Sequence, residues 1–176
     1  MSKEIRFPGL ITALITLTLS ACATTIPETD TTGPEVRLTI NGPELGRREM
    51  SNPPRAEWTG PGGIQFFNLQ AGVRYNFILS VSDQGGVARA HLRMPDNVIV
   101  SGLSPTDVDE TTSGISRHLT LLGDRAHPTT GLVISGTLVP PAQTSFEFQV
   151  EGDDFGGASG RANQTFMNVN VFSEGD

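Results

Sequence analysis

The side chains of this 176-residue chain that could carry chemistry are three histidines, one cysteine and several acidic runs. His91, His118 and His127 have the side chain suited to proton transfer and to metal ligation. His91 falls on the polar side of its strand, His118 follows Arg117 and His127 precedes Pro128. None is read as having a partner at ligand-pair spacing, so each is expected to be a surface or half-buried side chain. Serines are plentiful, yet neither G-x-S-x-G nor S-x-x-K occurs. A Ser-His-Asp site assembled only by the fold is the one way a hydrolase could be hidden here, because its members need not be near in sequence.

Hard oxygen ligands for calcium could come from Asp153 and Asp154 beside Gly156-Gly157, from Asp83 in another glycine turn, or from Asp107 with Asp109 and Glu110. The 107–110 run lacks the glycine and the closing glutamate of an EF-hand loop. Aspartate also favours turns by capping local amides, which is the expected role of these residues. Asp153 and Asp154 are the best calcium candidates of the set, and no cofactor is expected. Trp58 and Tyr75 are too few for the exposed platforms of a glycan-binding face. Phe66-Phe67 places successive rings on opposite faces of a strand, leaving one for solvent or a partner.

The cysteine, Cys22, closes Leu19-Ser20-Ala21-Cys22 at the end of the apolar run Phe7 to Leu19, 13 residues long. Lys3 and Arg6 precede it against Glu4. That run suits a signal-peptide core and is shorter than the roughly 20 residues that span a bilayer. Ala21-Cys22-Ala23 also fits ordinary small-x-small cleavage, which would discard the cysteine. Leu19-Ser20-Ala21-Cys22 resembles the lipobox of bacterial lipoproteins, and this reading is preferred. The resemblance implies cleavage before Cys22, with acyl chains on its thiol and on the new amine. One chain binds a membrane marginally, at ~0.8 kcal/mol per buried methylene, whereas two or three make attachment effectively permanent. Ala23 stands where many inner-membrane lipoproteins carry Asp, which points to the outer membrane in a cell with two.

Removing residues 1–21 takes two basic residues and one acidic one, moving the net charge from −7 to −8. Such a surface is repelled by nucleic acid and by anionic headgroups, so no nucleic-acid partner is expected. No second cysteine exists to form a disulfide.

These candidates must be positioned by strands. Residues 22–35, rich in Thr, Pro and acidic side chains, are read as a lipidated flexible tether reaching roughly 20 Å. From Val36 the apolar period is two: Val36, Leu38 and Ile40, then Val73, Tyr75, Phe77, Leu79 and Val81. Asn41-Gly42-Pro43 is a turn, and Glu44 to Gly63 reads as loop around Trp58. Asp83-Gln84-Gly85-Gly86 predicts a hairpin to a returning strand with Ala88, Ala90, Leu92 and Met94 on one face. Short strands follow at Val98–Val100, Ile115–Leu122, Leu132–Leu138, Phe146–Val150 and Met167–Val171, with Ser101 to Ser113 a polar loop.

Tyr75–Met94 is similar to adjacent strands of bacterial immunoglobulin-like or fibronectin-III-like domains, and Phe146–Phe172 resembles their last two strands. The likeness covers about a third of the chain after Cys22. It implies an all-β fold, a single immunoglobulin-like antiparallel β-sandwich of about seven to nine strands over residues 36–176. Together these readings give a non-enzymatic structural or protein-interaction module of the cell envelope, held to the membrane by its lipid and meeting an envelope protein. The alternatives are a glycan- or calcium-binding module and, below it, a secreted hydrolase.

Overall fold

A computed structural model of the chain describes residues 25–27, 29–43, 45–52, 66–142, 144–157 and 160–174. Residues 1–24, with Cys22 among them, and Trp58 lie outside the described residues. Among the described residues, no helix is long and apolar enough to cross a membrane.

Among the described residues, eleven strands form two facing sheets. They are β1 (Glu35–Gly42), β2 (Gly46–Asn52), β3 (Phe66–Gln70), β4 (Tyr75–Ser82), β5 (Val87–Pro95) and β6 (Ile99–Ser104). The others are β7 (Asp109–Ser113), β8 (Ser116–Leu122), β9 (Gly131–Val139), β10 (Thr144–Asp154) and β11 (Gln164–Glu174). One sheet has the order β2-β1-β4-β9-β6 and the other β3-β11-β10-β5-β8-β7. The all-β sandwich expected from the sequence is what the chain forms, immunoglobulin-like in its two facing sheets. Every pairing is antiparallel except β3 with β11, which runs parallel.

The period-two pattern explains the core. Val36, Leu38, Ile40, Tyr75, Phe77, Leu79, Val81, Ile134 and Leu138 turn inward from the first sheet. Phe148, Val150, Met167, Val169 and Val171 turn inward from the second, with Leu92, Met94 and Leu119. Each such side chain removed from water contributes about 1.5–3 kcal/mol. Gly152 marks a close approach of the sheets. A Cβ there would stand 2.6 Å from Val81 Cγ1 and 2.7 Å from Val36 Cγ1.

Three expectations are corrected. Glu44 to Gly63 is not all loop: Gly46–Asn52 is β2, with Met50 opposite Leu38. Its Arg47, Arg48 and Glu49 hide the strand from a hydrophobicity pattern, and such charges suit a sheet edge. Residues 101–113 are likewise not one loop, since β6 continues to Ser104 and β7 spans Asp109–Ser113. All of β7 is exposed, so it has no apolar face to betray it. These two strands carry the count past nine.

The third correction concerns Asp83 to Gly86. β4 belongs to the five-stranded sheet and β5 to the six-stranded one, so this turn crosses between sheets and is no hairpin. Asp83 N–H donates to Thr130 O at 3.0 Å and Val87 N–H to Thr129 O at 2.9 Å. Gly86, at φ 102°, makes the bend. Local sequence cannot separate the two cases, because both strands aim their apolar faces at the same core. In β5, Val87 and Ala90 are buried while Ala88 is half-buried, because Arg89 pairs with Asp153 but Val87 with Asp154. The extra residue is a bulge.

Candidate functional site

Asp153 and Asp154 do not act together. Successive strand residues face opposite sides. Asp153 lies on the outer face, 2.7 Å from Arg89 Nε, whereas Asp154 is wholly buried. The structure brings Asp154 together with Asp83 and with Asp30, their carboxylate oxygens within 4.8 Å of one another. Three separate stretches supply them: the segment ahead of β1, the crossover and the end of β10.

Each carboxylate is held by its own local geometry. Asp154 Oδ1 accepts from Gly156 N–H and Asn163 N–H, both at 2.7 Å, and Oδ2 accepts from Asn163 Nδ2 at 2.7 Å. Asp83 Oδ1 accepts from Gly85 N–H at 2.6 Å. Asp30 is brought in because Asn163 Nδ2 also donates to its backbone carbonyl at 3.1 Å. Pro34 packs near Gly152 on the same side. Burial pushes the Asp83 carboxyl above its ordinary value, against the pull of the Gly85 amide, and the charges of Asp30 and Asp154 add to the rise. A proton between Asp30 and Asp83 relieves the repulsion. So would a hard divalent cation, for which Asp30, Asp83 and Asp154 have the right ligand atoms.

A second cluster lies on the outer face of the six-stranded sheet. Antiparallel register sets Glu151 opposite His91, Asp153 opposite Arg89 and Gln149 opposite Arg93. Arg89 Nη2 donates to Glu151 Oε2 at 3.0 Å, and Arg93 Nη1 to Gln149 Oε1 at 3.2 Å. His91 Nδ1 stands 3.3 Å from Glu151 Oε2, and its Nε2 is 3.1 Å from His118 Nδ1. The His91 imidazole is almost fully buried. Burial holds its pKa below the usual histidine value; Glu151 opposes that shift, while Arg89 and His118 reinforce it.

His127 is exposed and His118 half-buried, as expected from the sequence, whereas His91 is buried and departs from that expectation. His91 and His118 are 27 positions apart, and only the β5–β8 register, which sets His118 opposite Arg93, brings them together. His127 Nδ1 meets Asp124 Oδ2 at 2.9 Å on an exposed turn, where this hydrogen bond holds the Asp124 carboxyl below its usual range. Glu110 pairs with Arg117 across the β7–β8 hairpin, and Asp107 is exposed.

A third feature is apolar. Phe67 is buried and Phe66 is 40% exposed, the division expected of successive rings. Phe66 meets Phe172 edge to face, centroids 6.2 Å apart, and Phe172 is 45% exposed. Tyr75 is a core residue whose hydroxyl accepts from Gln70 N–H at 2.8 Å, so it is no glycan platform.

No protein family and no curated protein matches the chain. Several solved structures are similar to it. One is a non-cellulosomal cohesin from the hyperthermophilic archaeon Archaeoglobus fulgidus, 13% identical, covering 62% of this chain and 86% of its own at a TM-score of 0.37. Another is the sixth cohesin of Acetivibrio cellulolyticus scaffoldin B, solved in complex with a Cel5 dockerin, 9% identical over 62% of this chain and 95% of that one at 0.42. A third is AggA, the major subunit of aggregative adherence fimbriae from Escherichia coli, 12% identical over 82% and 98% at 0.32. At these scores the description of the fold rests on the strand order and register above.

Proposed function

We propose that the chain is a lipoprotein anchored through Cys22 to the outer membrane, whose β-sandwich serves without catalysis as a structural or protein-interaction module of the envelope. The observation that supports a protein partner is the Phe66–Phe172 pair, two large rings left wet on the outer face beside edge strand β3. Its position agrees with an anchor at the other end. The amino-terminal segment meets the domain at Gly33 and Thr165, and Phe172 is seven residues farther along β11. At ~3.3 Å per residue the pair stands roughly 23 Å away along the strand.

Two variants test the two halves of this reading. Cys22→Ser should lose the acyl mass on the amino-terminal peptide and move the chain from the membrane to the soluble fraction. Retention at the membrane with unchanged peptide mass would refute the anchor. Phe66→Ser with Phe172→Ser should keep the cooperative melt of the wild type and abolish its cross-linking to envelope protein in detergent-solubilised membranes. An unchanged cross-linking pattern would refute the contact.

A further inference from the structure

We propose that His91 and His118 form a proton-operated latch on the β5–β8 seam: one shared proton fastens the β7–β8 edge hairpin to the sheet, and a further proton on His91 releases it. This inference goes beyond the module reading and does not depend on the lipid anchor.

Ring geometry shows that the contact is a hydrogen bond and not a pair of metal ligands. The planes lie within 14° and the centroids are 5.3 Å apart, while the facing nitrogens are only 3.1 Å apart. Two rings so placed meet edge to edge in nearly one plane, each nitrogen aimed at the other. A hydrogen bond there needs one N–H and one bare nitrogen. Glu151 faces His91 Nδ1, which assigns the proton of a neutral His91 to Nδ1 and leaves its Nε2 to accept from His118 Nδ1–H. His118 Nε2 can then take a proton without disturbing the pair. A proton on His91 Nε2 is accommodated only while His118 Nδ1 is bare; once His118 carries both of its protons, a second charge on His91 sets two N–H groups against each other.

The surroundings amplify that conflict. On β5, Arg89 and Arg93 flank His91. On β10, Glu151 is opposite it but also bonded to Arg89, Asp153 is paired with Arg89, and Gln149 accepts from Arg93. On β8, Thr120 is opposite His91. On β7, Thr111 is opposite His118, Asp109 opposite Thr120, and Glu110 is occupied by Arg117. A charged His91 beside a charged His118 thus joins two arginines and shares a single, already engaged glutamate. The β7–β8 hairpin is the element exposed to this change, since among the described residues β8 pairs only with β5 and β7, and β7 is an edge. Leu119 and Leu121 keep its inner face in the core, so the release loosens the backbone ladder without detaching the strands.

Hydrogen exchange of the full chain between about pH 7.5 and pH 5, normalised to intrinsic rates, tests the latch. Residues 109–122 should lose roughly tenfold in protection relative to β10 and β11 on acidification. That loss should be absent in His91→Gln, whose amide can bond both neighbours without titrating. An equal loss in His91→Gln, or none in the wild type, would overturn the proposal. Should His91→Gln not fold, the wild-type imidazoles decide it by NMR. Two separated titration steps with His91 the lower support the latch, and joint titration in the ordinary histidine range refutes it.

Discussion

The two ionisable clusters are built in opposite ways. On the outer face of the six-stranded sheet, register deals out charge: Arg89 faces Asp153, and Glu151 faces His91. At the crossover corner no ladder does this sorting. Asp30, Asp83 and Asp154 arrive from separate stretches of chain and bring like charges together. The two regions therefore respond to acid with opposite signs. Asp83, raised above the ordinary carboxylate value, contributes stability that is complete below about pH 3.9 and is lost as pH rises through its folded pKa. His91, lowered in the fold, contributes stability at neutral pH that is lost as pH falls below about 6.5. Both groups are favoured uncharged, so acid costs the fold at the histidine and rising pH costs it at the carboxyl.

The strongest way to break this contrast is Asp154→Ala, which removes one carboxylate from the corner together with the oxygens that accept from Gly156 N–H, Asn163 N–H and Asn163 Nδ2. A loss of about 3 kcal/mol or more is expected in the urea midpoint. A near-neutral result would mean that repulsion at the corner outweighs those bonds. Asp83→Asn keeps the oxygen facing Gly85 and removes only the charge. It should stabilise the chain at pH 7 by about 0.5–1 kcal/mol, discounted because the group is partly exposed, and the gain should vanish in acid. Calcium sharpens this experiment. If a cation already neutralises the corner, calcium stabilises the wild type, chelation removes the effect, and Asp83→Asn becomes the weaker protein. The smallest effect should come from the sheet's edge. Arg117→Ala breaks the pair with Glu110 on the exposed hairpin and should cost no more than about 0.5 kcal/mol by thermal melt, fading in salt.

The sequence reveals the strands whose two faces differ. Val36-Leu38-Ile40, Tyr75 to Val81 and Met167 to Val171 alternate because one side meets the core and the other meets water. β2 and β7 are illegible for the converse reason, having little or no apolar face. The crossover at Asp83–Gly86 is misread because turn chemistry is local, whereas sheet membership is decided by distant Thr129 and Thr130. Site legibility follows the same division. Asp83 and Asp154 stand out beside their glycines, but Asp30 sits in a Thr-rich stretch with nothing to mark it until Asn163 clamps its carbonyl. The His91–His118 contact exists only through strand register, which no single stretch of sequence contains.

The placement of β1 has a mechanical consequence. Its amino-terminal end, Glu35, is on the side where the preceding residues press against Gly152 and Thr165, and it runs from there between β2 and β4. A tug on the amino terminus, resisted by anything gripping Phe66 and Phe172 at the opposite end, travels along β1's own axis. Both flanking ladders then bear the load in shear, their rungs straining together, whereas a sideways pull would unzip them one at a time.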